Sequence, residues 1–436
     1  MKKSLIFALV LTTVSTSLFS CGPSSSEPSV LPTDEPTSAS VETPTINEEE
    51  TNVKILKEND LKNENFNIIK WEGRYEYREK DSSLSSMMLL YHTATGFTID
   101  FCGTELKTKF FHAKDFESTT AADIYYDVKV DDEILPNTYK RRFFLPKNET
   151  ETTIDIVSGL KEGRHTVTVL KQSEPADAYT GVISIETDGY FYKRNEENDQ
   201  NRMKILSVNA SGGSGYGALS YNEQSENYHK RSTKYSSSLH SFNYLTARVF
   251  DSDISYCAQA GWGVKYSTKK SILDVIDKCG ITPSNNVSGA LTTGDWDPNL
   301  YIPDVILFNI GGNDTGNNDF DVEIYKSGVI ELVNKLHDYY PEAKMLWTHT
   351  MSKAGTYAVT ALQDNGIIKQ GYIKQCVIPA VGEGETGNGT YGAANHASLK
   401  THIDASNKII ETLTRWGYKT VREQIKFSDF EDIIQK

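Results

Sequence analysis

The spacing of apolar residues divides the chain into three textures. Residues 22 to about 62 are rich in Ser, Pro, Thr and Glu, with Glu48-Glu49-Glu50 at the centre. Such a stretch has too little apolar surface to offset the entropy of ordering, so a disordered tether is expected. From Phe66 to about Tyr192 the apolar residues fall in short runs. These are Ile68 to Tyr75, Gly96 to Phe101, Ile124 to Val130, Phe143 to Leu145, Thr153 to Val157, His165 to Leu170 and Gly181 to Glu186. Gly, Pro, Asn and Asp separate them, and no helix-period stretch interrupts. Many short strands at this spacing predict an all-β sandwich.

After Asp199 the rhythm is mixed. Ile205-Leu206-Ser207-Val208 and Val305-Ile306-Leu307-Phe308 are continuous apolar runs, as expected of strands buried on both faces. Residues 254–258 and Lys344-Met345-Leu346-Trp347 are strand-like too. Leu239, Phe242, Leu245 and Val249 fall on one helical face, and so do Val322, Tyr325, Val329, Leu332, Val333 and Leu336. A last helix, about Lys400 to Trp416, stops at Gly417, a usual helix-ending residue. Alternating β and α units predict a parallel sheet covered by helices on both faces, an α/β fold.

Composition adds limits. The 436 residues are enough for two or more domains, and hydrophobic content is 38%, lowered by the polar N-terminal stretch. Lys and Arg number 45 against 59 Asp and Glu, a net charge of −14. That balance argues against nucleic acid as a partner, because phosphate binding needs a basic face. The first twenty residues read as a targeting segment. Lys2 and Lys3 form its basic end, and Ile6 to Leu18 is apolar but short for a membrane span. Leu18-Phe19-Ser20-Cys21 resembles a bacterial lipobox, which implies cleavage before Cys21 and lipidation of its thiol. The expectation is an exported lipoprotein at the cell surface, touching the membrane only through that anchor. Cys102, Cys257, Cys279 and Cys376 remain. Their spacing shows no metal pattern, and both disulfides and buried thiols fit an exported protein.

The stretch Asn209-Ala210-Ser211-Gly212-Gly213-Ser214-Gly215-Tyr216-Gly217 follows the first parallel strand. A strand ending in small residues can turn sharply into a helix and lift a hydroxyl over the carboxyl edge of the sheet, where such folds place ligands. Ester hydrolysis by serine needs a hydroxyl, a base and donors for the oxyanion. Ser211 is the candidate nucleophile. Gly261, in Gly261-Trp262-Gly263, can present a backbone N–H. Asn313, in Gly311-Gly312-Asn313-Asp314, follows another strand and can point its amide over the same edge. His396 precedes the last helix, a place from which an imidazole can reach back. Taken singly, each glycine and Asn313 could equally be a plain turn former.

The four segments resemble the four blocks of the SGNH hydrolase superfamily. In that family the serine follows the first strand in Gly-Asp-Ser, a glycine and an asparagine complete the oxyanion hole, and the histidine sits late in the chain. The resemblance covers roughly residues 203–420 and implies catalytic Ser211 and His396, with Ser211, Gly261 and Asn313 as the oxyanion hole. Gly73-Arg74-Tyr75, Phe97-Thr98-Ile99-Asp100-Phe101 with Gly103-Thr104, and Gly159-Leu160-Lys161-Glu162-Gly163-Arg164-His165-Thr166-Val167 narrow it further. They are similar to carbohydrate esterase family two, in which a β-sandwich jelly-roll domain precedes the SGNH domain. The implied organisation is a signal at 1–20, a tether at 21–62, a jelly-roll sandwich at 63–195 and an SGNH hydrolase domain at 202–436. The implied activity is O-deacetylation of an acetylated carbohydrate, with no metal or cofactor.

Two departures stand out. Asn209-Ala210 replaces the family's Gly-Asp, and Ala393-Ala394 occupies the place of an Asp before the histidine. A backbone carbonyl can take over the Asp's task of holding the imidazole. The same departures motivate a second reading, a carbohydrate-binding surface lipoprotein that kept the fold and lost catalysis. A lipid or thioester hydrolase on the same scaffold is a third. Ser214 is a rival serine, while His402 reads as a packing or capping histidine and His349 as structural. Tyr216, Trp262 and Trp296 are candidate sugar-stacking residues, although Trp296 fits a core position at least as well.

Overall fold

The structure is a computed structural model. It describes residues 50–63, 67–113, 122–131, 133, 141–194, 201–221, 230, 232–266, 270–282, 293–381 and 391–430. The expected signal segment, Cys21 and most of the expected tether lie outside these residues. Glu48–Lys436 form one compact unit.

Twelve strands precede the parallel sheet among the described residues. They are β1 (Ile55–Lys57), β2 (Ile69–Glu72), β3 (Tyr75–Arg78), β4 (Met87–Leu90), β5 (Gly96–Cys102) and β6 (Leu106–His112). Then follow β7 (Ile124–Val130), β8 (Arg142–Leu145), β9 (Glu151–Val157), β10 (Arg164–Lys171), β11 (Thr180–Thr187) and β12 (Tyr190–Phe191). One sheet runs β3-β4-β11-β6-β9, with β1 also on β11; the other runs β12-β5-β10-β7-β8, with β2 also on β5. Pairing is antiparallel, and β5 and β10 meet from Cys102 opposite Arg164 to Gly96 opposite Leu170. The pleat sends alternate residues to opposite faces. Phe97, Ile99 and Phe101 of β5 therefore enter the core with Phe110, Tyr126, Val128, Val167 and Val169.

The expected tether ends earlier than its composition implies. Leu56 and Leu61 are buried in the sandwich core, and that apolar anchor lets residues 55–57 pair with β11. The apolar run from Ile68 to Tyr75 also divides, into β2 and β3 on different sheets. Gly73 makes the break at φ 73°, and a Cβ there would meet Thr95 Cγ2 at 2.9 Å.

The rest of the chain supplies β13 (Lys204–Asn209), α1 (Ser211–Ser214), α2 (Phe242–Val249), β14 (Asp253–Ala258), α3 (Ile272–Val275) and β15 (Val305–Asn309). After these come α4 (Val322–Tyr339), β16 (Lys344–His349), α5 (Lys353–Asp364), β17 (Ile373–Val377) and α6 (Leu399–Arg415). The sheet order is β14-β13-β15-β16-β17, and every pair is parallel. Its two faces bury alternate residues. Leu206, Ile306, Phe308, Met345 and Trp347 pack against α4 and α5. Ile205, Val305, Leu307 and Leu346 pack against α2 and α6. That double burial is why the strands read as unbroken apolar runs.

The sandwich grips this sheet through buried polar contacts. Arg74, 1% exposed, donates through Nη1 to Ile276 O at 2.7 Å and Lys278 O at 2.9 Å. Lys70 pairs with Asp253 at 2.7 Å. Cys102, Cys257, Cys279 and Cys376 are all free thiols.

Candidate active site

The loop after β13 is built by close approach. Asn209 is fully buried, and its amide donates to Ser207 Oγ. A Cβ at residue 213 would lie 2.1 Å from Asn209 Oδ1, so only glycine fits there. Ala210 donates its N–H to Asn309 O at 3.1 Å, which ties the loop to β15. Ser211 then opens the one-turn helix α1, which ends at Gly215 with φ 75°. Ser211 is half-buried. Ser214, the rival serine, is only 1% exposed, and its hydroxyl donates to Glu174 of the sandwich.

Ser211 and Gly212 line a cavity of about 190 Å³ together with Asn309, Gly312, Asn313, Thr348 and His349. Asn313 Nδ2 donates to Trp262 O at 2.8 Å. A primary amide carries two N–H groups, so this bond orients the side chain and leaves a second donor for a ligand. It also joins Asn313 to the turn containing Gly261, whose φ of 85° suits glycine. Asp314 fastens the same loops from below. Its buried carboxylate accepts from Val264 N at 2.8 Å, Lys265 N at 2.8 Å and Tyr266 N at 2.7 Å. Burial pushes its pKa up, and those three N–H groups act in the opposite direction.

His396 lies against the end of the serine loop. Ala393 donates to Gly217 O at 3.1 Å, docking the turn before α6 onto the serine loop. The imidazole then packs on Tyr216, with ring centroids 4.3 Å apart. Tyr216 in turn donates its N–H to Ser211 O at 3.3 Å. His396 Nδ1 lies 3.0 Å from Ala394 O. A carbonyl oxygen only accepts, so Nδ1 carries the proton and Nε2 is the basic nitrogen. His396 does not line the cavity itself.

His349 and His402 are otherwise engaged. His349 faces the cavity, but its Nδ1 lies 2.8 Å from Thr350 O and its Nε2 3.3 Å from the Gln375 side chain. His402 is buried and accepts from Phe242 N at 3.3 Å; burial first, then the neighbouring His396, pushes its pKa down to about 3. Larger clefts, of about 350 and 360 Å³, gather around Lys70 and Asp253 at the opposite, amino-terminal edge of the sheet. Those two charges already pair with each other and offer no nucleophile. Among the described residues no three His, Cys, Asp or Glu side chains cluster as a metal ion needs.

No family model matches the chain. It is 23% identical over 268 residues to the cellulase/esterase CelE of Acetivibrio thermocellus, an alignment covering 58% of this chain and 30% of that protein. The chain thus corresponds to less than a third of that curated relative. Among solved structures, a family two carbohydrate esterase from Clostridium thermocellum in complex with cellohexaose superimposes with a TM-score of 0.64 at 20% identity. That match covers 80% of this chain and 100% of the other. An acetyl xylan esterase from the rumen bacterium Butyrivibrio proteoclasticus gives 0.63 at 15% identity, covering 81% and 96%. A family two carbohydrate esterase from Cellvibrio japonicus gives 0.63 at 15% identity, covering 80% and 95%.

The chain has the fold of the family two carbohydrate esterases. Within that fold, none of the three expected sugar-stacking residues presents an open ring face. Trp262 is fully buried in the core under the sheet, its ring 6.0 Å from that of His92. Trp296, 7% exposed, packs with Cys279, Tyr91 and Met87. An indole enclosed on both faces cannot stack on a sugar. Tyr216 is 7% exposed and supports His396. Reasoning from sequence missed Asp314, which stood in plain view beside Asn313, and Glu174, which no local motif marks.

Proposed function

We propose that this protein is a carbohydrate O-acetyl esterase using a Ser211–His396 dyad. The observation that carries the reading is the cavity shared by Ser211 and Asn313, a serine and an amide donor over one edge of the sheet. His396 Nε2 takes the Ser211 hydroxyl proton as Oγ attacks the acetyl carbonyl. The N–H groups of Ser211 and Gly261 and the amide of Asn313 hold the oxyanion. Protonated His396 gives its proton to the departing sugar oxygen. A water, deprotonated by the same imidazole, then attacks the acetyl-Ser211 ester, and the imidazolium returns its proton to Ser211 Oγ as acetate leaves. The Ala394 carbonyl takes the place of the orienting Asp by holding the proton-bearing nitrogen, which keeps the needed tautomer.

The named relatives support a carbohydrate substrate, and the small cavity suits a two-carbon acyl group. The strand orders β4-β11-β6-β9 and β5-β10-β7-β8 support reading the sandwich as a jelly roll. At its N-terminus we read a signal ending at Ser20, a lipid-bearing Cys21 and attachment at the cell surface; among the described residues no helix is long and apolar enough to cross a membrane. Replacing Cys21 with Ser should move the protein from the membrane fraction to the soluble one.

The test of the reaction is Ser211→Ala. The variant should keep the wild-type circular dichroism spectrum and release no acetate from an acetylated saccharide; unchanged turnover refutes the assignment. One observation favours a second reading, a non-catalytic carbohydrate-binding protein: His396 lies outside the cavity that Ser211 lines. A fluorophosphonate probe separates the two, since only the enzyme labels at Ser211.

A further inference from the structure

We infer that Glu174, a residue of the sandwich, is a positioning residue for the hydrolytic centre. Its carboxylate oxygen Oε1 accepts from the Ser214 hydroxyl in the serine loop. The same oxygen accepts from the N–H of Ala260 at 3.0 Å, in the turn that presents Gly261. One buried atom from a third element therefore holds the serine loop and the oxyanion turn together. Glu174 is 1% exposed, so water does not compete for these bonds. A buried hydrogen bond is costly to leave unmade.

Glu174 is itself held from several directions. Its N–H donates to Asp177 Oδ2 at 3.1 Å, and Asp177 N–H returns a bond to Glu174 O at 3.0 Å. Two residues earlier, Gln172 Oε1 accepts from Ser238 Oγ at 3.0 Å and Ser237 Oγ at 3.3 Å. At the last residue of β10, Lys171 Nζ donates to Tyr91 O at 2.7 Å and Ser173 O at 2.8 Å. The loop after β10 is thus a rigid plug seated in the α/β part, with the carboxylate at its tip. Ser214 Oγ also lies 3.0 Å from Ser211 O, so its single proton is shared between Glu174 and that carbonyl, and a shift of Glu174 is felt one helical turn away at the nucleophile. Glu174 touches no reacting atom in this scheme. It acts by fixing how far the Ser211 hydroxyl stands from the Gly261 N–H, and misplacement of such groups by about 1 Å can cost about a hundredfold in rate.

The kinetic arm of the test rests on the esterase reading, so an activity-free arm accompanies it. Glu174→Ala should lower kcat for an acetylated saccharide about tenfold to a hundredfold with KM within about twofold, the signature of a loss felt in the transition state. Glu174→Gln retains Oε1 as an acceptor for both donors and should restore kcat to within about threefold of wild type. In parallel, amide exchange should accelerate in residues 211–217 and 259–263 together in Glu174→Ala and in neither segment in Glu174→Gln. Wild-type kcat in Glu174→Ala, equal damage in both variants, or exchange that changes in only one loop overturns the inference. If Glu174→Ala does not fold, Ser214→Ala breaks the tie on the serine side, together with the contact to Ser211 O, and should show the same loss in kcat with KM little changed; an unchanged kcat there overturns the inference. Should wild type neither release acetate nor take the fluorophosphonate probe, the esterase reading fails, and the exchange measurement still decides whether Glu174 couples the two loops.

Discussion

His396 Nδ1 lies 3.0 Å from the carbonyl oxygen of Ala394, two residues back in the same turn. The contact needs an unusual backbone, because Ala394 and Asn395 both adopt left-handed φ, 53° and 59°. Non-glycine residues there cost about 1–2 kcal/mol each. The turn is fastened on both sides by Gly392 N–H to His396 O at 2.6 Å and Ala393 N–H to Gly217 O at 3.1 Å. A strained turn that sets one imidazole tautomer suggests a use for that imidazole. Replacing His396 with Ala should lower kcat about 10²–10⁴-fold, the range of general acid–base catalysis, at nearly constant melting temperature. Acetate release by the variant within about tenfold of wild type would unseat the dyad.

Asn313 makes a second, separable prediction. One of its amide hydrogens is committed to Trp262 O, and the other is proposed for the oxyanion. The oxyanion exists only in the transition state, so Asn313→Ala should reduce kcat by about 10²–10³ and leave KM almost unchanged. The lost bond to Trp262 O should cost about 0.5–1.5 kcal/mol in an unfolding titration. A larger change in KM than in kcat would place the amide on the ground-state ester and not on the oxyanion.

Acyl length follows from the cavity. About 190 Å³ lined by Asn309, Thr348 and Thr350 as well as Ala210, Ile310 and Ala354 is small, where pockets for drug-sized ligands run to about 300–1,000 Å³. Comparing 4-nitrophenyl acetate, butyrate and octanoate, kcat/KM should drop by more than about tenfold at butyrate and further at octanoate, since overfilling a packed site strains it. Equal or better turnover of octanoate would favour a lipid hydrolase on the same scaffold.

Acid should weaken the fold through two buried histidines. His240 and His402 are both pushed down to about 3, chiefly by burial. Each takes up its proton near 6.5 once unfolded. The unfolded chain therefore binds more protons between about pH 6.5 and 3, so this stability is fully present above the upper limit and is lost as pH falls. The slope approaches about 1.4 kcal/mol per pH unit for each group. Carboxylates add their own acid sensitivity, so the informative comparison is His402→Gln with wild type from pH 7 to pH 4. The variant should lose melting temperature less steeply; parallel curves would show that His402 does not contribute.

What could be read from the sequence follows burial. Val305, Ile306, Leu307 and Phe308 are all fully buried between two helical layers, so their strand was plain. Helix α5 was not, because four of its six buried residues are Ala354, Gly355, Ala358 and Ala361, which leaves only Val359 and Leu362 to mark the apolar face. Strand β17 sits at the sheet edge and buries only Ile373 and Cys376 of five residues, too few to show a period. Ser211, Gly261, Asn313 and His396 could be picked out as candidates because each follows a strand or precedes a helix in the chain's order. Trp262 misled: its place next to Gly261 suggested a ring at the mouth of the site, yet the indole is fully buried in the core. Glu174 had no sequence signal, since its partners Ser214 and Ala260 are chosen only when the sandwich docks.

Asp314 is the strongest case of a support that loss of charge should expose. Its two oxygens accept three backbone N–H groups from Val264, Lys265 and Tyr266, and a Cβ on Gly263 would fall 2.6 Å from Oδ2. Backbone donors aimed at one buried carboxylate form a fixed anion nest. In Asp314→Asn, one of the two oxygens becomes an NH₂ group, which faces N–H hydrogens and cannot accept from them. At least one donor is then left buried and unpaired, at a cost of about 1–3 kcal/mol. The residues so loosened follow Gly261 and Trp262 directly, and Trp262 O is what orients the Asn313 amide. The expected result is therefore coupled: a melting temperature lower by several degrees and a kcat reduced about tenfold, with KM little changed. If Asp314→Asn melts lower but turns over acetyl ester at the wild-type rate, the nest supports the fold alone, and the oxyanion turn does not depend on it.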